Sequence, residues 1–169
     1  ITDYYVTVTL PCQCNKMLQG LCIQESIMSF ITTYCSHCFT RNRLPEEKVD
    51  SNAKCGRCKS GLFATTPVNG LEQQFDTLIQ SDIPVVVDFW ASWCGPCLQF
   101  SPVFQQVASE LEPRLRFVKV DTEQQAAIAA RYAIRSIPTL MVFKQGKMVA
   151  QRSGSLPPSL FKEWLHSFI

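Results

Sequence analysis

The chain has 169 residues, of which 46% are hydrophobic and 18% charged, with eleven Phe and three Trp. That length fits one domain, or one with a small appendage, and that composition excludes a wholly disordered chain. Seven Gly and ten Pro exclude collagen-like or linker-like character, and a net charge of +2 gives no ground for a nucleic-acid binder or a polybasic membrane anchor.

In chain order, residues 1–27 come first and carry a net charge of −1. Tyr4 to Leu10 alternates like a short strand until Pro11 interrupts it, and no convincing partner follows. The chain begins with Ile, and Met28 directly precedes the first organised segment. The expectation is that Met28 is the natural start and that 1–27 is non-native or disordered, Cys12, Cys14 and Cys22 included. The alternative is a genuine N-terminal extension with auxiliary redox thiols. Acidic Asp3 and the lack of an uninterrupted apolar core do not fit a signal peptide. No apolar run approaches the ~18 residues of a membrane span. A cytoplasmic protein without a membrane partner is expected.

Residues 28–64 carry +3 and hold two C-x-x-C pairs, Cys35/Cys38 and Cys55/Cys58, sixteen residues apart. So short a segment cannot build an adequate core without a staple. The spacing fits a zinc site. Four thiolates around tetrahedral Zn²⁺ make a closed structural site with no open catalytic position. Its charge of about −2 can be offset by Arg41, Arg43, Lys54, Arg57 and Lys59, all near in sequence. One structural zinc per chain on Cys35, Cys38, Cys55 and Cys58 is expected; a disulfide pair or an iron site are the alternatives. His37 is expected to face solvent, because four Cys suffice as ligands. Residues 65–70 are turn-rich and read as a linker.

From Leu71 the texture alternates between helix and strand. Leu71 to Gln80 carries a helical apolar stripe. Pro84 to Trp90 is a continuous apolar run, as a strand buried on both faces should be. Pro96 to about Leu111 reads as a helix kinked at Pro102, Leu115 to Val120 as a strand, and Glu123 to Tyr132 as an Ala-rich helix. Thr139 to Phe143 and Met148 to Gln151 read as strands of a hairpin turning at Lys-Gln-Gly-Lys. Pro158 to Phe168 closes the chain as a helix. The prediction for 71–169 is an α/β domain, a mixed sheet with helices on both faces.

Cys94-Gly95-Pro96-Cys97 follows the buried strand and opens a helix. At a helix N-terminus, unpaired amide N–H groups and the macrodipole favour a thiolate. Cys97 lies one turn in, close enough to close a disulfide, and Pro96 suits the first helical turn. Cys94 is therefore read as the exposed attacking thiol and Cys97 as the buried resolving thiol. The competing reading is a pair of core or metal cysteines. Asp88 is a lone acid in an apolar strand; burial without a partner raises its pKa and makes it a candidate proton acceptor. Trp90 is expected to pack inward, and His166 to sit at the end of the last helix, facing its dipole.

Asp88-Phe-Trp-Ala-Ser-Trp-Cys-Gly-Pro-Cys97 resembles the active-site strand of thioredoxins, and Ile134-Arg-Ser-Ile-Pro-Thr139 resembles the loop facing it. Gly146 and Gly154 also stand where thioredoxins place glycines. With the double C-x-x-C, residues 28–169 resemble the zinc-containing bacterial thioredoxins, the thioredoxin 2 group. The resemblance implies a thioredoxin fold with a small N-terminal zinc-ribbon-like domain. It implies that Asp88 deprotonates Cys97, that Lys119 neighbours Asp88, and that Pro138 is cis. It places bound substrate at Trp93, Gly95, Pro96, Ile137, Pro138 and Gly154; for Gly154 a plain turn glycine is the alternative, and for Lys119 a solvated lysine at a strand end.

The expected function is a protein-disulfide reductase that acts as a monomer and is recycled by thioredoxin reductase with NADPH. No glycine fingerprint for a dinucleotide is present, so neither NADPH nor flavin is expected to bind directly. Two other readings compete. One is a zinc-ribbon interaction module or redox sensor with the second domain as scaffold, although a scaffold could dispense with Cys94 and Cys97. The other is a thiol oxidant or isomerase, disfavoured because Gly-Pro between the cysteines resembles reducing family members.

Overall fold

The computed structural model describes residues 29–169. The expectations for 1–27 lie outside the described residues.

Two strands, β1 (Phe30–Tyr34) and β2 (Arg41–Pro45), pair antiparallel, with Phe30 opposite Pro45 and Tyr34 opposite Arg41. The zinc-ribbon-like domain is as expected, while these strands leave no clear period in the sequence. The hairpin and the following loops enclose a small core of Cys35, Cys55, Leu62 and Phe63, and Ile83 joins it from the larger domain.

The larger domain runs β3 (Val68–Asn69), α1 (Glu72–Ile79), β4 (Val85–Trp90), α2 (Gly95–Leu111), β5 (Arg116–Asp121), α3 (Ala126–Arg131), β6 (Thr139–Lys144), β7 (Lys147–Ser153) and α4 (Pro158–His166). The sheet order is β3-β5-β4-β6-β7. β3, β5 and β4 are parallel, and β6 and β7 are antiparallel. The mixed sheet is as expected. β3 is not: it lies within the turn-rich 65–70 stretch, and two residues are too few to leave a periodic signal.

Alternation along β4 explains its continuous apolar run. Val85, Val87 and Phe89 join one core with α1 residues Phe75 and Leu78. Val86 joins the other, with Phe100 and Phe104 of α2 and Phe161 of α4. Both faces are covered, so every position is apolar except Asp88. The rings of Phe100 and Phe161 meet edge-on at 5.2 Å.

α2 spans Gly95–Leu111 with Pro102 inside it, as read, and two details differ from the sequence reading. α3 begins only at Ala126, because the Asp121 carboxylate accepts from the backbone N–H of Glu123 and Gln124 and holds those residues in a turn. Glu112–Pro113 is a second cis peptide bond beside Ile137–Pro138. The β6–β7 turn is as read: Gln145 and Gly146 both have positive φ, the conformation of a two-residue hairpin. No helix of the described residues is long and apolar enough to cross a membrane.

Candidate active site and metal centre

β4 delivers the chain to Trp90, and α2 starts four residues later with Cys94 as its N-cap. Cys94 and Cys97 form a disulfide. The Cys97 backbone N–H points at Cys94 Sγ, 3.2 Å away. That donor and the helix N-terminus favour negative charge on this sulfur when the bond is reduced. One expectation needs correction: Cys94 is only 4% exposed, and Cys97 is fully buried. The loop before β6 covers Cys94, with Ile137 O 3.7 Å from Cys94 Sγ.

Pro138 is cis, and its carbonyl accepts from Gly154 N–H at 2.8 Å. Gly154 has φ +89°, and a Cβ there would meet nothing within 4 Å. Its backbone conformation, not crowding, calls for glycine. Trp93 is 69% exposed, and Gly95 and Pro96 are exposed beside it. A cleft of about 190 Å³ is lined by Trp93, Arg135 and Ile137, the neighbours in sequence of Cys94 and Pro138 among them. The structure thus gathers Trp93, Gly95, Pro96, Ile137, Pro138 and Gly154 around one sulfur pair.

Asp88 lies fully buried on the α2 side of the sheet, and neither carboxyl oxygen has a hydrogen-bond partner. Burial pushes its pKa up to about 7, against the pull of Lys119. Lys119 stands beside it in register on β5, with Nζ 3.9 Å from Asp88 Oδ2. Lys119 is half-buried, and its ammonium lies over the Trp90 ring at 4.5 Å. Trp90 is only partly buried, because it lines a cavity of about 320 Å³ with Lys119 and Asp121.

The second centre is the cluster of Cys35, Cys38, Cys55 and Cys58, whose sulfurs all lie within 4.8 Å of one another. Cys35 and Cys58 are 3.6 Å apart and Cys38 and Cys55 3.7 Å. A disulfide would need about 2.05 Å. Tetrahedral zinc with Zn–S near 2.3 Å places sulfurs about 3.8 Å apart, so the donor set fits that ion. Backbone N–H groups of His37 and Arg57 aim at Cys35 Sγ and Cys55 Sγ at 3.4 Å each. They satisfy sulfur lone pairs from outside the cluster. The His37 side chain is exposed, as read.

The basic residues near the cluster in sequence also have partners of their own. Arg57 donates to Thr40 Oγ1, Lys59 to Gly56 O, and Arg43 lies over the Phe30 ring. A buried cation, Arg116 of β5, reaches the loop that carries Cys35 and Cys38. Its guanidinium donates to Thr33 Oγ1 (2.8 Å), Tyr34 O (2.9 Å) and Ser36 Oγ (2.6 Å), and its Nε pairs with Glu112 at 3.2 Å. Sequence reading missed Arg116 and Glu112. A signal existed: Arg116 is a base at a position where its alternation with Val118 and Val120 calls for an apolar side chain.

Comparison with known proteins adds to this geometry. A family model described as Thioredoxin matches residues 67–167, and one described as Thioredoxin 2, N-terminal, a zinc ribbon, matches residues 34–60. Thioredoxin C-3 of Corynebacterium nephridii is 41% identical over 132 residues, covering 78% of this chain and 90% of that protein. A thioredoxin of Porphyra purpurea is 48% identical over 92 residues, 54% of this chain and 86% of that one. The solved structure of a Malassezia sympodialis thioredoxin superposes with a TM-score of 0.56 at 33% identity, covering 61% of this chain and 91% of that one.

Proposed function

The chain belongs to the thioredoxin family of protein-disulfide oxidoreductases, and we propose that it acts as a reductant of protein disulfides, with Cys94 as nucleophile and Cys97 as resolving thiol. The observation that carries this reading is the Cys94–Cys97 pair at the N-terminus of α2, facing the Pro138 loop.

The cycle balances as follows. The Cys94 thiolate attacks one sulfur of the target disulfide; a Cys94–target bond forms, and the first target sulfur leaves as a thiolate. Asp88 takes the Cys97 proton. The Cys97 sulfur attacks Cys94, the Cys94–Cys97 bond forms, and the second target sulfur leaves. The target gains two electrons, its two thiolates take protons from solvent, to which Asp88 returns the one it took, and the protein ends as its disulfide. Trp93, Gly95, Pro96, Ile137, Pro138 and Gly154 form the docking rim. Thioredoxin reductase and NADPH regenerate the dithiol, and the protein works in the cytoplasm as a monomer.

Residues 29–64 form the metal-binding domain, and the catalytic one begins with β3 at Val68, within the stretch read as a linker. Cys35, Cys38, Cys55 and Cys58 would hold zinc, which supplies a structural staple there. Metal analysis of the whole chain is expected to return one zinc, released when the thiols are titrated with a mercurial. A content far below one, unchanged by the titration, would remove the zinc reading.

The direction of electron flow is tested by the equilibrium reduction potential of Cys94–Cys97, read through Trp fluorescence in defined redox buffers. A value near about −270 mV is expected for a reductant. A value of about −180 to −120 mV would make the protein an isomerase or oxidant instead.

A further inference from the structure

Lys119 has three neighbours, and it hydrogen-bonds to the least expected one. Its ammonium donates to Ser101 Oγ at 2.7 Å, while Asp88 Oδ2 is 3.9 Å away, beyond hydrogen-bond range. The Trp90 ring lies beneath it at 4.5 Å. Ser101 sits on α2 four residues after Cys97, one helical turn along and on the same face. No role was read for Ser101 in the sequence.

Asp88 is consequently a buried carboxyl beside a cation that does not bond to it. The groups facing it are few. β5 brings Lys119, and β6 brings Leu140, which is apolar. α2 brings Ser101 to the Lys119 ammonium, and the cysteine pair at its start carries no charge as a disulfide. Asp121 shares the cavity with Lys119 but is engaged by Glu123 N–H and Gln124; Glu123 also lines it and is exposed.

We propose that Ser101 is a positioning residue: its hydroxyl holds the Lys119 ammonium off Asp88, leaving the carboxylate free to accept the Cys97 proton. This rests on the reading of Asp88 as proton acceptor. An ammonium bonded directly to Asp88 would stabilise the carboxylate and weaken it as a base. Ser101 gives that ammonium another acceptor.

The test follows the Asp88 carboxyl by carbon NMR across pH in the full-length oxidised protein, where Cys97 does not titrate. In S101A the Asp88 midpoint is expected to fall by about one pH unit, a tenfold loss of proton affinity. S101T keeps the hydroxyl and is expected to keep the midpoint. K119M is expected to raise it, and adding S101A to K119M is expected to change nothing further. An unmoved midpoint in S101A, an equal fall in S101T, or an S101A effect that survives in K119M would each overturn the proposal. The Asp88 reading is tested apart, by the pH profile of mixed-disulfide resolution. Its acidic limb is expected to move down with the midpoint in S101A and to vanish in D88N. A limb that persists in D88N would overturn the role of Asp88 as base, and the role built on it for Ser101.

Discussion

Replacing Asp88 with asparagine is expected to stabilise the oxidised protein by about 4 kcal/mol at pH 8.5 and to change little at pH 4. Asp88 has a pKa of about 7 in the fold against 3.8 in solvent, because burial disfavours its charge. Each tenfold in proton affinity is worth about 1.4 kcal/mol, and the gap spans roughly three of them. The sign follows from which state holds the proton. Below pH 3.8 both states are protonated, and the fold bears no charge penalty. Between 3.8 and about 7 only the folded state keeps the proton, so wild-type stability falls as pH rises. Above that range the whole penalty is present. Asparagine is isosteric and never ionises, so its advantage should grow over that window. Urea denaturation at half-unit pH steps reads it directly. An advantage equal at pH 4 and pH 8.5 would mean that the Asp88 charge is not the source. The same charge is what the proposed proton transfer uses, so stability is given up at the site of function.

Arg116→Ala is expected to cost about 3–5 kcal/mol, the range for breaking a buried ion pair by removing one partner. The loss leaves Glu112 buried beside no cation and removes the donors to Thr33, Tyr34 and Ser36. Phe63 also loses the guanidinium 5.1 Å from its ring. Thr33, Tyr34, Ser36 and Phe63 belong to the metal-binding segment, and Arg116 and Glu112 to the redox domain. The variant should therefore both melt earlier and expose residues 29–64 to limited proteolysis. Replacing Glu112 and Arg116 together by Leu and Met should recover part of the loss, because no buried charge is then orphaned. A loss under about 1 kcal/mol, the worth of a surface pair, would show that Arg116 does not tie the two parts.

Both centres were legible from local spacing. C-x-x-C at the start of a helix places two sulfurs one turn apart, whatever surrounds them. Two such pairs sixteen residues apart are enough to mark a four-thiol cluster. The continuous apolar run of β4 with one acid inside it marked Asp88 as well. What spacing could not supply is how open a site is. Cys94 was read as exposed from its place at a helix start, and the Ile137 loop, more than forty residues on, covers it.

The chain by itself determined the helices, the long strands, the β6–β7 turn and the two cysteine centres, because each depends on periodicity or on contacts within a few residues. Only the tertiary structure decided the rest. β3 exists because β5 offers it an edge, since two residues have no strand preference strong enough alone. Arg116 meets Ser36 across eighty residues, and Lys119 meets Ser101 across eighteen. Such pairings have no sequence period. They arise when buried polar groups, brought together by the packing of apolar faces, must find partners away from water.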